Sequence, residues 1–189
     1  MKNKKWTLSL LLFLCSIAQI ANAETYDSKE IIYNFYKSYF LHLRNTDKTQ
    51  EPELDFSASF KKLVSYNKEL CRSFPDEVCG WGADGDVYLN AQDYDDSLTM
   101  ENSNFKISKL PKDVIKVSFN LFPTEKSSQY GERVITYKMI HERKNWVVDD
   151  IFYDNNNSSR QQIENENKLL INEINNKHKA IPNRVAEGF

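Results

Sequence analysis

Carboxylates and aromatic rings are concentrated in one central segment of the chain, Ser73 to Phe105, which contains no Lys or Arg. Its eight acidic residues are Asp76, Glu77, Asp84, Asp86, Asp93, Asp95, Asp96 and Glu101, and its aromatic residues include Phe74, Trp81, Tyr88 and Tyr94. Trp and Tyr are enriched at binding hot spots, and clustered carboxylates attract basic partners. The pattern predicts a binding surface for a basic protein, formed by Trp81, Asp84, Asp86, Tyr88, Asp93, Tyr94, Asp95 and Asp96. A solvated acidic loop is the alternative interpretation.

The same carboxylates could instead hold a hard cation. Asp84-Gly85-Asp86, followed by Asp93, Asp95 and Asp96, offers several oxygen ligands of the kind that calcium prefers. The spacing lacks the twelve-residue loop with its terminal bidentate glutamate, and Asp-Gly-Asp is also common turn chemistry. We therefore predict no metal and no other cofactor, with calcium as the open alternative.

Side chains suited to acid–base catalysis are few. The chain has three histidines, no paired-histidine metal spacing and no glycine–serine nucleophile elbow. Tyr36, Tyr39 and His42 are the candidates for a pocket inside the fold, with ordinary core packing as the alternative. Asp149 and Asp150 are consecutive in a predicted strand, so one of them should face inward and accept hydrogen bonds from backbone amides. These patterns favour a protein without enzymatic activity, and we assign no catalytic residue.

The N-terminus has the pattern of an export signal. Met1–Lys5 carries three lysines, Leu8–Ile20 is almost wholly apolar, and Ala21-Asn22-Ala23 matches a cleavage site. Lipid attachment at Cys15 is a competing interpretation, but Leu14 stands where lipoprotein processing requires a small residue. The sequence predicts a signal peptide over 1–23 and a periplasmic or secreted chain with no membrane anchor after cleavage.

Two cysteines remain after the predicted signal. An even pair in an exported chain is typical of a disulfide, which predicts a bond between Cys71 and Cys79. Redox pairs favour a two-residue spacing, and no histidine lies near enough in sequence to complete a zinc site.

Charge and composition limit the classes of partner. The formal charge is −2, and it becomes −5 without Lys2, Lys4 and Lys5, when 22 basic residues face 27 acidic ones. A mildly acidic surface excludes generic nucleic-acid binding, which needs clustered positive charge. Hydrophobic residues at 40% and charged residues at 28% predict a globular domain.

Apolar periodicity predicts two helices before the acidic segment. Asp27 and Glu30 form a capping-box pattern at the start of a stripe made by Ile32, Phe35, Tyr36, Tyr39 and Leu43. A second stripe follows, with Asp55 or Ser57 as its cap, and comprises Phe56, Phe60, Leu63, Val64 and Leu70.

After Phe105 the period changes to two. Four strands are predicted, over Phe105–Leu110, about Ile115–Leu121, Val134–His141 and Trp146–Phe152, and two helices before an antiparallel meander describe an α+β domain over 24–157. Ser158 or Ser159 could cap a last helix. Its stripe of Ile163, Leu170 and Ile174 is interrupted by Asn167, which predicts a loosely packed C-terminal helix and mobile tail over 158–189.

Several short strings resemble a known family. Phe35-Tyr36 through Tyr39-Phe40, Asn90-Ala91-Gln92-Asp93 and Trp146-Val147-Val148-Asp149-Asp150-Ile151 are similar to those of the bacterial envelope family called domain of unknown function 3828. The resemblance covers about residues 28–154. It implies a cone of the cystatin and nuclear-transport-factor-two type, in which a curved antiparallel four-stranded sheet wraps around the two N-terminal helices. The disulfide loop and the C-terminal helix depart from the family pattern.

Together these patterns predict an exported binding protein of the bacterial envelope. It would act as an inhibitor or immunity protein that binds a basic toxin or enzyme through the acidic segment. Alternatives are a cone-fold domain that binds a small ligand, and a hydrolase or isomerase with its site inside the cone. The oligomeric state does not follow from the sequence.

Overall fold

The computed structural model describes residues 27–45, 48–125, 131–154 and 157–180. The helices in this part of the chain are α1 (Ser28–Leu43), α2 (Ala58–Cys71) and α3 (Ser159–Ala180). The strands are β1 (Lys106–Leu110), β2 (Val114–Asn120), β3 (Glu132–Glu142), β4 (Asn145–Tyr153) and β5 (Asn157–Ser158). The predicted α+β class is confirmed. The predicted signal peptide and the chain after 180 lie outside the described residues, so the domain bounds stay predictions.

The strands form one open antiparallel sheet in the order β1-β2-β3-β4-β5. This is one strand more than the four predicted. The additional strand, β5, consists of two polar residues that pair with Phe152 and Tyr153. Such a pairing uses backbone groups alone, so it produces no side-chain periodicity that sequence inspection could detect.

Helix α1 and the inner face of the sheet share one hydrophobic core. Ile32, Tyr36 and Phe40 of α1 are almost fully buried. The sheet contributes alternate inward residues: Ile115, Val117, Phe119, Ile135, Tyr137, Met139, Val148 and Ile151. This alternation is the expected pattern for a sheet with one covered face.

The helix starts agree with the predicted positions, but one cap differs. Ser57 caps α2 by accepting a hydrogen bond from the Phe60 amide, at 3.1 Å. Asp27 occupies the N-cap position of α1 without a side-chain cap bond, so the predicted capping box with Glu30 does not form as expected. The reason is a competing partner, because Lys109 Nζ donates to Asp27 Oδ1 at 2.7 Å.

Helix α3 packs more closely than predicted. Ser158 caps it by accepting from the Gln161 amide, and Ile163 and Leu170 are buried. The residue that interrupts the apolar stripe, Asn167, is only 5% exposed, and its Oδ1 accepts a hydrogen bond from Asn67 Nδ2 at 2.8 Å. Asn167 therefore forms a buried amide pair with Asn67 of α2. The prediction of a loosely packed helix is wrong for the part of α3 that carries these contacts.

The segment from Ser73 to Phe105 contains no helix or strand except an isolated bridge between Asp86 and Ala91. We call this segment the acidic loop. The disulfide between Cys71 and Cys79 is present, with the two Cα atoms 5.6 Å apart. This bond is consistent with an oxidising, extracellular location. In the described part of the chain, every helix is too short or too polar to cross a membrane.

Candidate functional site

The aromatic residues of the acidic loop attach it to the core. The Tyr88 ring packs against Phe35 and Tyr39, with ring centroids 4.6 and 5.3 Å apart. Trp81 packs edge-on against Phe56 and Phe60 at 5.6 and 5.1 Å. These rings therefore serve mainly to fix the loop. Trp81, Tyr88 and Tyr94 are partly buried, and the binding surface that includes them stays a prediction.

Tyr94 also packs partly against the core. Burial raises its pKa, and the neighbouring carboxylates of Asp86, Asp96 and Asp93 raise it further. Tyr94 therefore lies among carboxylates on the outer side of the loop while its ring contributes to packing.

Two of the predicted binding carboxylates, Asp86 and Asp95, accept hydrogen bonds that hold the loop in place. Asp86 Oδ1 accepts hydrogen bonds from the backbone amides of Tyr88 and Leu89, at 2.8 and 3.0 Å, and its Oδ2 accepts one from Tyr39 Oη. Asp95 Oδ1 accepts from the amide and hydroxyl of Ser97, and its Oδ2 accepts from Thr124. These carboxylates hold the loop in shape, because replacing either would leave several donors without an acceptor.

The other predicted carboxylates point to solvent. Asp84, Asp93 and Asp96 are exposed, and Asp93 accepts a hydrogen bond from the neighbouring Tyr94 amide. Two further acidic residues, Glu51 and Glu53, line a shallow depression beside Tyr88. Burial raises the pKa of Tyr88 to about 12, and the charges of Glu53 and Glu51 contribute to that rise.

We call the five solvent-facing carboxylates of Glu51, Glu53, Asp84, Asp93 and Asp96 the acidic face. Sequence inspection missed Glu51 and Glu53 because they lie about twenty residues before the loop, in a polar connection after α1. Only the contact of that connection with Tyr88 brings them beside the loop. The sequence feature that could have identified these two residues is the pair of glutamates in Glu51-Pro52-Glu53.

A cleft of about 450 Å³ opens between the acidic loop and the end of β4. Loop residues from Trp81 to Gln92 form one wall, and Tyr153, Asp154, Asn157 and Gln162 form the other. Three carboxylates line it, from Asp84, Asp86 and Asp154, and no Lys, Arg or His is among the described residues that line it. At the rim, Arg133 Nε donates to the Asn90 carbonyl at 2.9 Å.

Three buried polar atoms near the cleft lack hydrogen-bond partners among the described residues. Trp81 Nε1 and Tyr153 Oη, on residues that line the cleft, and Ser159 Oγ at the start of α3 have none. Burial raises the pKa of Tyr153 to about 12, and the nearby Ser159 hydroxyl and Trp81 indole partly oppose that rise. The three groups are thus close enough to influence one another, but none completes a hydrogen bond of acceptable geometry. Buried polar atoms without partners are rare in folded proteins.

The disulfide fixes the start of the acidic loop on α2 and α3. Gly80 N donates to Glu166 Oε1 at 3.1 Å, and Trp81 N donates to Asn67 Oδ1 at 3.0 Å. For a loop this short, the chain-entropy account gives a stabilisation of about 2.5 kcal/mol. The cysteine sulfurs and a Glu166 oxygen lie within 4.8 Å of one another, but sulfurs bonded to each other are not thiolate ligands. The calcium alternative for the loop stays a prediction.

The structure does not bring Tyr36, Tyr39 and His42 together around an opening among the described residues. Tyr36 is fully buried, and its hydroxyl bonds to the Tyr88 carbonyl and to Tyr137 Oη, both at 2.8 Å. Burial, the largest cause, raises the pKa of both tyrosines, Tyr36 and Tyr39. His42 Nδ1 lies 2.9 Å from Thr49 Oγ1. The two tyrosines are therefore core residues with satisfied polar tips.

Asp149 and Asp150 both have structural partners. Asp150 is buried and accepts from the amides of Ile151 and Arg160, as predicted for the inward residue. Asp149 lies at a register shift in the β3–β4 pairing and bonds to Lys138, Ser57 and Arg160. Burial alone would raise its pKa, but these hydrogen bonds and charges outweigh burial and lower it.

The chain has no match among known protein-family models, curated proteins or solved structures. The resemblance to the envelope family therefore stays a prediction. The functional argument comes from the geometry of the acidic loop, its acidic face and the adjoining cleft.

Proposed function

We propose that the protein is an exported, non-enzymatic binding protein of the bacterial envelope, which recognises a basic toxin or enzyme through the acidic face. In this role it acts as an inhibitor or immunity protein. We further propose that α1, α2 and the sheet form the cone implied by the family resemblance. The observation that carries the proposal is a rigid loop of 33 residues, Ser73 to Phe105, with eight carboxylates and no Lys or Arg.

Rigidity supports recognition of a folded partner. The loop is attached by the disulfide, by the Tyr88 and Trp81 ring contacts and by the internal bonds of Asp86 and Asp95. A surface that is ordered before binding loses little conformational entropy when the partner arrives. Its eight carboxylates would speed association with a basic surface and oppose association with an acidic one.

The filled interior also favours binding at the surface. An enzyme with a site inside the cone would need an opening beside Tyr36, Tyr39 or His42, and the two tyrosines are packed in the core. The hydrolase or isomerase alternative therefore has less support. The alternative of a small ligand is favoured by a different observation, the cleft beside the loop.

Affinity capture from envelope extracts tests the proposal with three forms of the protein. The first is the wild type, and the second carries Asp84→Asn, Asp93→Asn and Asp96→Asn on the acidic face. The control carries Glu30→Gln, Glu69→Gln and Glu164→Gln, which remove the same charge from exposed positions on three helices. We expect a basic protein to be captured by the wild type and the control and to be lost with the second form. Equal capture by all three forms would contradict a role for the acidic face.

A further inference from the structure

We propose that Glu166 of α3 protects the disulfide between Cys71 and Cys79 from reduction by thiols. The disulfide fixes the start of the acidic loop, so this protection keeps the loop attached to α2 and α3 when reducing thiols are present. The proposal goes beyond recognition of a basic protein and does not depend on it, because Glu166 is not part of the acidic face.

The Glu166 carboxylate lies beside both sulfurs of the disulfide. One of its oxygens and the two Sγ atoms all lie within 4.8 Å of one another. Cys71, Cys79 and Glu166 are each only partly buried, so a small thiol in solvent can approach the sulfurs. Sequence inspection could not find this contact, because Glu166 lies far from both cysteines along the chain.

Two hydrogen bonds hold the carboxylate in this position. Gly80 N donates to Glu166 Oε1 at 3.1 Å, and Asn67 Nδ2 donates to Glu166 Oε2 at 2.8 Å. Gly80 directly follows Cys79, and Asn67 lies one turn of α2 before Cys71. The two donors are therefore attached to the two ends of the disulfide. The negative charge stays beside the sulfurs instead of moving with a free side chain.

Reduction of a disulfide begins with attack by a thiolate. A new bond forms between the attacking sulfur and one cysteine Sγ, the bond between Cys71 and Cys79 breaks, and the other cysteine leaves as a thiolate that takes a proton from water. A second thiolate displaces the mixed disulfide, which leaves both cysteines reduced and the reductant oxidised to its own disulfide. In the first step, negative charge arrives at one cysteine sulfur and develops on the other. Because the Glu166 carboxylate lies beside both, its charge opposes this step whichever sulfur is attacked.

Two further features near the disulfide act in the same direction. The chain between the cysteines carries Asp76 and Glu77 against Arg72, which leaves one excess negative charge. These three side chains are exposed, so salt screens their charges readily. The Gly80 backbone is close to the disulfide, since a Cβ atom at Gly80 would lie 3.6 Å from Cys71 Sγ. This backbone limits the directions from which a thiol can approach.

The experiment measures how fast two thiols of different charge reduce the disulfide in the folded full chain. The thiolate of 2-mercaptoethanesulfonate carries a second negative charge, whereas the thiolate of cysteamine carries a compensating ammonium group. Each rate is divided by the rate of the same thiol with a small neutral disulfide, which removes differences in intrinsic reactivity. The proteins compared are the wild type, Glu166→Gln and the control Glu164→Gln, which removes a charge from an exposed position on the same helix.

We expect Glu166→Gln to raise the rate of reduction by mercaptoethanesulfonate by about fivefold and the rate by cysteamine by less than about twofold. The control should react with both thiols as the wild type does. Equal acceleration with both thiols would show that the substitution only loosens the loop. No acceleration with either thiol would show that Glu166 does not affect the disulfide. Either result overturns the proposal.

Salt gives a second measurement that needs no variant. Because screening weakens repulsion, reduction of the wild type by mercaptoethanesulfonate should become faster as salt rises, and reduction by cysteamine should change less. In Glu166→Gln the salt dependence of the mercaptoethanesulfonate rate should be flatter than in the wild type. A wild type that the two thiols reduce with the same salt dependence would overturn the proposal.

Discussion

Tyr39 of α1 donates a hydrogen bond to Asp86 of the acidic loop, although 47 residues separate them in sequence. Burial raises the pKa of Tyr39, and the Asp86 charge and this hydrogen bond raise it further. The hydroxyl therefore stays protonated and serves as a permanent donor to the loop. Through this bond the first helix determines the shape of the segment that carries the proposed function.

Replacing Asp86 should destabilise the fold more than replacing Asp84. Asp86→Asn cannot serve the Tyr39 hydroxyl and the two backbone amides equally well, so we expect a loss of about 1–3 kcal/mol in the free energy of unfolding. Asp84→Asn changes an exposed carboxylate of the same loop and should stay within about 0.5 kcal/mol of the wild type. Urea denaturation of the two variants checks this. Equal stability would mean that the bonds to Asp86 contribute little.

Removing the Tyr153 hydroxyl should cost far less than removing the Tyr36 hydroxyl. Tyr153 Oη has no hydrogen-bond partner, so Tyr153→Phe should be neutral or stabilising. Tyr36 Oη bonds to both the Tyr88 carbonyl and Tyr137, so Tyr36→Phe should cost about 1–3 kcal/mol. Thermal unfolding of both variants measures the difference. A Tyr153→Phe variant as unstable as Tyr36→Phe would show that the Tyr153 hydroxyl has a partner after all.

Asp149 should contribute to acid denaturation. Its pKa in the folded chain lies below the ordinary value of 3.8, because the bonds to Lys138, Ser57 and Arg160 outweigh the effect of burial. A lowered carboxyl pKa gives stabilisation that is complete above the unfolded value and is lost as pH falls through the folded one. The wild type should therefore lose more stability than Asp149→Asn as pH falls below about 4.

Denaturation midpoints measured between about pH 7 and pH 2 test this effect. Asp76→Asn, an exposed change in the acidic loop, serves as the control and should follow the wild type. If Asp149→Asn loses stability with pH exactly as the control does, the ion pairs of Asp149 do not stabilise the fold.

Helix α3 should be required for cooperative folding. Ile163 and Leu170 are buried, Asn167 bonds to Asn67, and Glu166 holds the Gly80 amide. Deleting residues 157–189 would expose the Asn67 amide and remove the acceptor for Gly80, so we expect a large fall in the melting temperature. Calorimetry of the truncated chain measures it. If the melting temperature fell by only a few degrees, α3 would not be required for the fold.

The sequence predicted the elements whose side chains follow a regular period. The stripe from Ile32 to Tyr39 and the alternation from Ile115 to Phe119 identified α1 and β2, because burial of one face imposes the period. The capping of α1 could not be predicted from its own residues, since Lys109 is distant in sequence. Asn167 was misleading for a similar reason, because its partner Asn67 lies 100 residues earlier.

The sequence identified the segment that forms the candidate site, but not the role of each residue in it. Charge counting located the acidic loop but could not separate Asp86 and Asp95, which bond internally, from Asp84, Asp93 and Asp96, which face solvent. The residues across the cleft, among them Tyr153 and Gln162, carry no local signal. They reach the loop only because β4 ends and α3 begins beside it.

The central claim is that the acidic face captures a basic protein by charge. Its most direct test is the rate of association with the captured partner, measured as salt rises from low to physiological concentration. We predict that the wild type and the Glu30, Glu69 and Glu164 control associate rapidly at low salt and slow steeply as salt rises. The Asp84, Asp93 and Asp96 variant should be slower at low salt with a flatter dependence. Identical rates and salt dependence for all three forms would contradict the account.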